Sequence, residues 1–113
     1  IEMENQQHNY SDFDDASYIL ASINQNSFMK ESEKLAELIQ KHMQDNINSR
    51  NRGVKQAGFH VLVGASMPNV LIETGFLSNK KEANRLNKSY YRSKIAESIF
   101  DAIVEFKEAY ENN

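Results

Sequence analysis

Cysteine is absent from this 113-residue chain, which excludes disulfides and thiolate zinc sites and leaves the redox compartment open. Proline occurs once and glycine four times, too little for a disordered or low-complexity chain. There is no excess of positive charge: 13 Lys and Arg against 16 Asp and Glu give a net charge of -3. No basic field therefore argues for nucleic acid or an anionic membrane as partner. Apolar runs are only a few residues long, far short of the ~20 that a membrane helix needs, so no membrane span is expected. The first residue, Ile1, is not an initiator Met, and the polar residues after it carry no signal-peptide pattern. The expectation is a chain cut from something longer, forming one domain at most or a piece of one.

What is present is helical periodicity around a short apolar centre. Residues 1 to about 14 show no sustained period and read as loop. Asp14-Asp15 can cap a short helix whose apolar face is Tyr18, Ile19, Leu20 and Ile23. A second helix is expected from about Asn26-Ser27 to Ile47. Phe28, Leu35, Leu38, Ile39, His42, Met43 and Ile47 recur in it at spacings of three and four. Asn46 to Gly53 is a turn cluster that ends it. Phe59–Val63 and Asn69–Glu73 read as strands from their β-branched and aromatic content. Asn79 with Glu82 three residues later resembles a capping box that starts a short helix at Lys80. A last helix, about Ser89 to Tyr110, turns Ile95, Ala96, Ile99, Phe100, Ile103, Val104 and Phe106 towards the core.

Two strands do not make a self-sufficient sheet, and Val70-Leu-Ile72 is apolar on both pleat faces, as in a helix-covered parallel or mixed sheet. The predicted class is therefore α/β, with two strands and about four helices forming half of a larger domain. The exposed sheet edge is expected to favour self-association.

The stretch Asn69-Val-Leu-Ile-Glu-Thr-Gly-Phe-Leu-Ser-Asn79 places an acid, Glu73, where the second strand leaves the core. Open α/β sheets generally keep their sites at the carboxyl ends of strands, where a partly desolvated carboxylate suits general acid–base work. From spacing alone the commoner alternative, a structural ion pair or a bond to the next loop, carries more weight. His8, His42 and His60 are scattered and fall in no ligand spacing, so each reads as an ordinary packed or surface histidine. Arg50, Arg52 and Lys55, and then Lys80, Lys81, Arg85, Lys88, Arg92 and Lys94, read as solvated faces. The nearby Tyr90 and Tyr91 add little to a nucleic-acid reading without a net basic field. No P-loop, G-x-G-x-x-G or G-x-S-x-G motif is present.

Asn51-Arg-Gly-Val-Lys-Gln-Ala-Gly-Phe-His-Val-Leu62 and Met67-Pro-Asn-Val-Leu-Ile-Glu-Thr-Gly-Phe-Leu-Ser-Asn79 together resemble the carboxyl-terminal half of zinc-dependent N-acetylmuramoyl-L-alanine amidases. That family's pattern reads roughly R-G-V-K-x-A-x-F-x-V-L, then P-x-V-L-x-E-x-x-F-x-S-N. The likeness extends back through Ser32-Glu-Lys-Leu-Ala36 and forward into the last helix. It implies the carboxyl-terminal half of a three-layer αβα catalytic domain, with residues 1–26 a variable loop and short helix and 27–113 the core half. It implies hydrolysis of the amide between N-acetylmuramic acid and the L-alanine of the peptidoglycan stem, and a periplasmic, secreted or cell-envelope location. It implies a zinc ion in the full-length enzyme and an acid/base role for Glu73. The family's ligands, two His and one Glu, lie in its amino-terminal half, and neither the D-P-G-H-G motif nor S-x-H-x-N occurs here. No metal ligand is thus expected in this chain, which would act only with the other half of the domain. A non-catalytic module that binds peptidoglycan or a partner is the alternative, and a helical interaction domain a third.

Overall fold

The computed structural model describes residues 15–48, 53–56 and 60–112. Four α-helices organise them: α1 (Asp15–Ser27), α2 (Met29–Ile47), α3 (Lys80–Leu86) and α4 (Ser89–Glu111). A one-turn 3-10 helix, His60–Leu62, precedes an irregular stretch that leads to α3.

The core is the seam between α2 and α4. Leu38, Ile39 and Met43 of α2 meet Ile95 and Ala102 of α4, with Leu35, Ile47, Ile99 and Phe106 packed around them. Residues 95, 98, 102 and 106 share one face of α4 by helical spacing. Two of them, Ser98 and Ala102, are small and fully buried, which lets the helices approach closely. The Ser98 hydroxyl is satisfied twice: it donates to Lys94 O at 2.7 Å and accepts from Asn46 Nδ2 at 3.0 Å. At the other edge of the seam, Glu105 of α4 accepts from His42 Nε2 at 2.6 Å and Lys41 Nζ at 3.4 Å, both on α2. Asn48 ends α2 in a left-handed conformation (φ 49), with its N–H returning to Gln44 O.

The expected inward face of α4 is corrected in part. Ile95 is buried and Ile99 and Phe106 are half-buried, but Ala96, Phe100, Ile103 and Val104 are exposed. The seam follows the small side chains, and the bulkier flank turns to solvent. Ile19, Leu20 and Ile23 of α1 are likewise exposed, while Ala21 is buried. The boundary expected near Asn26-Ser27 falls at Phe28, because α1 continues to Ser27. Asp14, the first of the two expected cap residues, lies outside the described residues.

The expected α/β class is contradicted. No described residue lies in a β-strand, so neither the mostly parallel or mixed sheet of a three-layer αβα domain nor its exposed edge is present among them. At the expected first strand, residues 60–62 coil into the 3-10 turn, and Ala65 N donates to Leu62 O at 3.2 Å. Phe59 lies outside the described residues. Strand character needs a partner for its backbone groups. A parallel pair needs a crossover of a dozen or more residues, whereas only a short loop separates these two segments. An isolated pair would in any case be marginal. Local β-propensity, which measures fit to a pleated surface, is overridden where no such surface exists.

Candidate functional site

Asn69 to Phe76 has no regular secondary structure and lies against the α2–α4 core through Val70 and Ile72. Val70 and Ile72 pack against the core, whereas Leu71 and Glu73 are exposed. Burial thus alternates from Val70 to Glu73 without a ladder. The start of the stretch is fixed by Ser32, a buried serine on the apolar stripe of α2. Its Oγ accepts from Asn69 N at 2.9 Å and donates to Phe28 O at 2.8 Å.

The end of the stretch is fixed by α3. Asn79 caps this helix, its Oδ1 accepting from Lys81 N at 3.1 Å and Glu82 N at 3.2 Å. The expected capping box forms only by half. Asn79 N donates to Phe76 O at 3.0 Å, and Glu82 Oε2 accepts instead from Phe76 N at 2.8 Å. Between Glu73 and this bond, Gly75 adopts φ +156, where a Cβ would lie 3.3 Å from Leu86 Cδ1 and 3.5 Å from the Cβ of Glu82. A side chain here would crowd Leu86 and strain the backbone, which favours glycine.

A cavity of about 390 Å³ opens between the stretch and α2. Its lining includes Ser32, Ile39 and Met43 of α2, Val70, Ile72 and Glu73 of the stretch, and Gly75, Glu82 and Arg85. The arrangement is an apolar groove carrying an exposed carboxylate and a guanidinium. The partial desolvation expected of Glu73 is not found, since the side chain is open to solvent. A carboxylate so placed can take a proton from, or give one to, a molecule seated in the groove.

The other candidates do not join this site. His42 is committed to Glu105 at the helix seam, with side-chain exposures of 20% and 41% for the two residues. The hydrogen bond from His42, aided by Lys41, holds the Glu105 carboxyl below its ordinary value of 4.5. His8, Arg50 and Arg52 lie outside the described residues, as does the side chain of His60. Of the basic groups, Arg92 donates to Leu86 O at 2.8 Å and so closes the end of α3. Lys94 pairs with Glu97 at 3.1 Å and lies 5.7 Å from the Tyr90 ring centre. These are local surface bonds. No helix among the described residues is long and apolar enough to cross a membrane.

A zinc ion does not fit the described residues. No three His, Asp or Glu side chains among them come together in a way that could hold a metal. The best donor, His42 Nε2, is already engaged by Glu105.

Ser32 and the loop bond of Glu82 are contributions that sequence reasoning missed. A serine in register with Leu35, Ile39 and Met43 on an apolar stripe is a legible signal, because a buried hydroxyl must find partners. Glu82 was visible as a capping residue, but nothing in the spacing says that it reaches past Asn79.

Residues 8–105 match the profile of a protein family described as N-acetylmuramoyl-L-alanine amidase. Similar proteins include the N-acetylmuramoyl-L-alanine amidase LytC of Bacillus subtilis, 41% identical over 66% of this chain and 15% of that protein. The germination-specific N-acetylmuramoyl-L-alanine amidase of the same organism is 38% identical over 67% of this chain and 32% of its own length. The N-acetylmuramoyl-L-alanine amidase AmiA of Escherichia coli is 31% identical over 83% and 32% respectively. The chain thus spans a third or less of these three relatives. No solved structure matches it significantly.

Proposed function

Because the chain belongs to the N-acetylmuramoyl-L-alanine amidase family, we propose that it forms the carboxyl-terminal part of an amidase catalytic domain, with residues 1–26 a variable entry segment and 27–113 the core part. The substrate is peptidoglycan, cut at the amide between N-acetylmuramic acid and L-alanine, in the cell envelope or outside the cell. Glu73 is the acid/base. It takes a proton from the attacking water and delivers it to the departing amine nitrogen of L-alanine as the carbon–nitrogen bond breaks. The observation that carries this reading is the position of Glu73, solvent-open on the wall of an apolar groove and fixed on both sides by hydrogen bonds.

Zinc belongs to the complete enzyme in this reading, with its ligands on the amino-terminal part of the domain. When bound, a metal supplies an activated water and polarises the scissile carbonyl. With the ligands on the amino-terminal part, the chain alone is inactive in this reading. The apolar groove, lined by Ile39, Met43, Val70 and Ile72, is the surface on which the amino-terminal part seats.

In the complete enzyme, Glu73→Gln abolishes turnover while zinc remains bound, as read by release of free L-alanine amino termini and by metal content. Near-normal turnover would return Glu73 to a structural role. The alternative, a binding module without catalysis, would then take precedence.

A further inference from the structure

We propose that Glu82 is a positioning residue for the Glu73 carboxylate, holding the turn that carries it rather than serving only as a helix cap. The proposal rests on the catalytic reading of Glu73. A glutamate at this place in a capping box reaches back to the N–H of the cap residue. Here that N–H, on Asn79, is given to Phe76 O at 3.0 Å. The Glu82 carboxylate extends further and accepts from Phe76 N at 2.8 Å. Both backbone polar groups of Phe76 are thus tied to the first turn of α3.

Only Thr74 and Gly75 lie between Glu73 and this anchor, and neighbouring Cα atoms are about 3.8 Å apart, so little slack separates the two. A Cβ at Gly75 would lie 3.3 Å from Leu86 Cδ1 and 3.5 Å from the Cβ of Glu82, so the same glutamate lies beside the turn as well as accepting its hydrogen bond. Upstream, Ser32 holds Asn69, and Val70 and Ile72 are docked on the core. Glu73 itself has neither burial nor a core contact of its own. Its location is set by these two anchors, and the downstream one includes the bond from Phe76 N to the Glu82 carboxylate beside that from Asn79 N to Phe76 O. Catalytic geometry tolerates little displacement, since an error of about 1 Å can cost on the order of a hundredfold in rate.

The test uses amide hydrogen exchange and side-chain carbon NMR on the 113-residue chain, comparing Glu82→Ala with Glu82→Gln. Gln keeps an oxygen that can accept from Phe76, so it separates the bond from the charge. Glu82→Ala is expected to speed Phe76 amide exchange by about tenfold, the loss of one net hydrogen bond. It is also expected to shift the Glu73 side-chain signals, with Glu82→Gln restoring both. Leu86 is the α3 side chain packed against the core and Glu82 is not, so the α2–α4 core signals are expected to stay in place in both variants. In the complete enzyme, Glu82→Ala lowers kcat and leaves KM unchanged, and Gln recovers most of the loss. Altered α3 signals with unchanged Phe76 exchange and unchanged Glu73 signals would overturn the proposal and leave Glu82 a cap. A normal Glu73→Gln enzyme would instead remove the catalytic reading of Glu73, whatever the exchange data on Phe76 show.

Discussion

The α2–α4 seam and the stretch 69–76 hold their places by different means. The seam buries Leu38, Ile39, Met43, Ile95 and Ala102 between two long helices that satisfy their own backbones. The stretch offers only Val70 and Ile72 to that core and is tied at its ends by Ser32 and Glu82. Apolar burial is non-directional and sums over many contacts, whereas an end-tied segment depends on a few specific bonds. The scaffold should therefore resist changes that displace the segment, and the segment should move without unfolding the scaffold. Local stabilities that differ in this way are usual for functional segments.

The largest expected effect breaks the scaffold. Ile39, 4% exposed, replaced by Ala should lose about 2–5 kcal/mol of stability, measured by urea denaturation. Ser32→Ala comes next, because it leaves the Asn69 N–H without its acceptor at a cost of about 1–3 kcal/mol. The comparison is sharpened if hydrogen exchange at Asn69 accelerates while exchange across α2 and α4 does not. Asn79→Ala should cost ~1 kcal/mol by removing the α3 cap, read as fraying of Lys80–Leu86 in NMR.

The smallest effect concerns pH. The Glu105 carboxyl titrates below its ordinary value of 4.5 when folded, chiefly because of the His42 hydrogen bond. A depressed folded-state value means a contribution complete above the ordinary value and lost as pH falls through the lower one. Glu105→Gln should flatten that acid limb of the stability profile and leave the profile above it nearly unchanged, as followed by urea midpoints. The carboxylate is solvent-accessible, so the effect is modest.

The helices were legible because their signals are local. The stripe Leu35, Leu38, Ile39, Met43 and Ile47 gives α2, and Asn79 gives the start of α3. The faces were less so. Phe100 and Ile103 are apolar enough for a core, yet the seam selects Ser98 and Ala102, since close packing rewards small side chains there. The sheet was misread because β-propensity at Phe59–Val63 and Asn69–Glu73 presupposes neighbouring strands that the described residues do not supply. The catalytic reading of Glu73 came from the family likeness, since its place at the end of Val70-Leu-Ile72 alone favoured a structural role. The anchoring of Glu73 was not legible, because Ser32 and Glu82 act over separations that no periodicity encodes.

The central proposal is that Glu73 is the acid/base of an amidase site for which the described residues supply no metal cage. Its most direct test is to incubate the 113-residue chain with purified peptidoglycan and added zinc, and to measure new L-alanine amino termini. The account predicts no release above background. Release that requires zinc and is abolished by a chelator would contradict it.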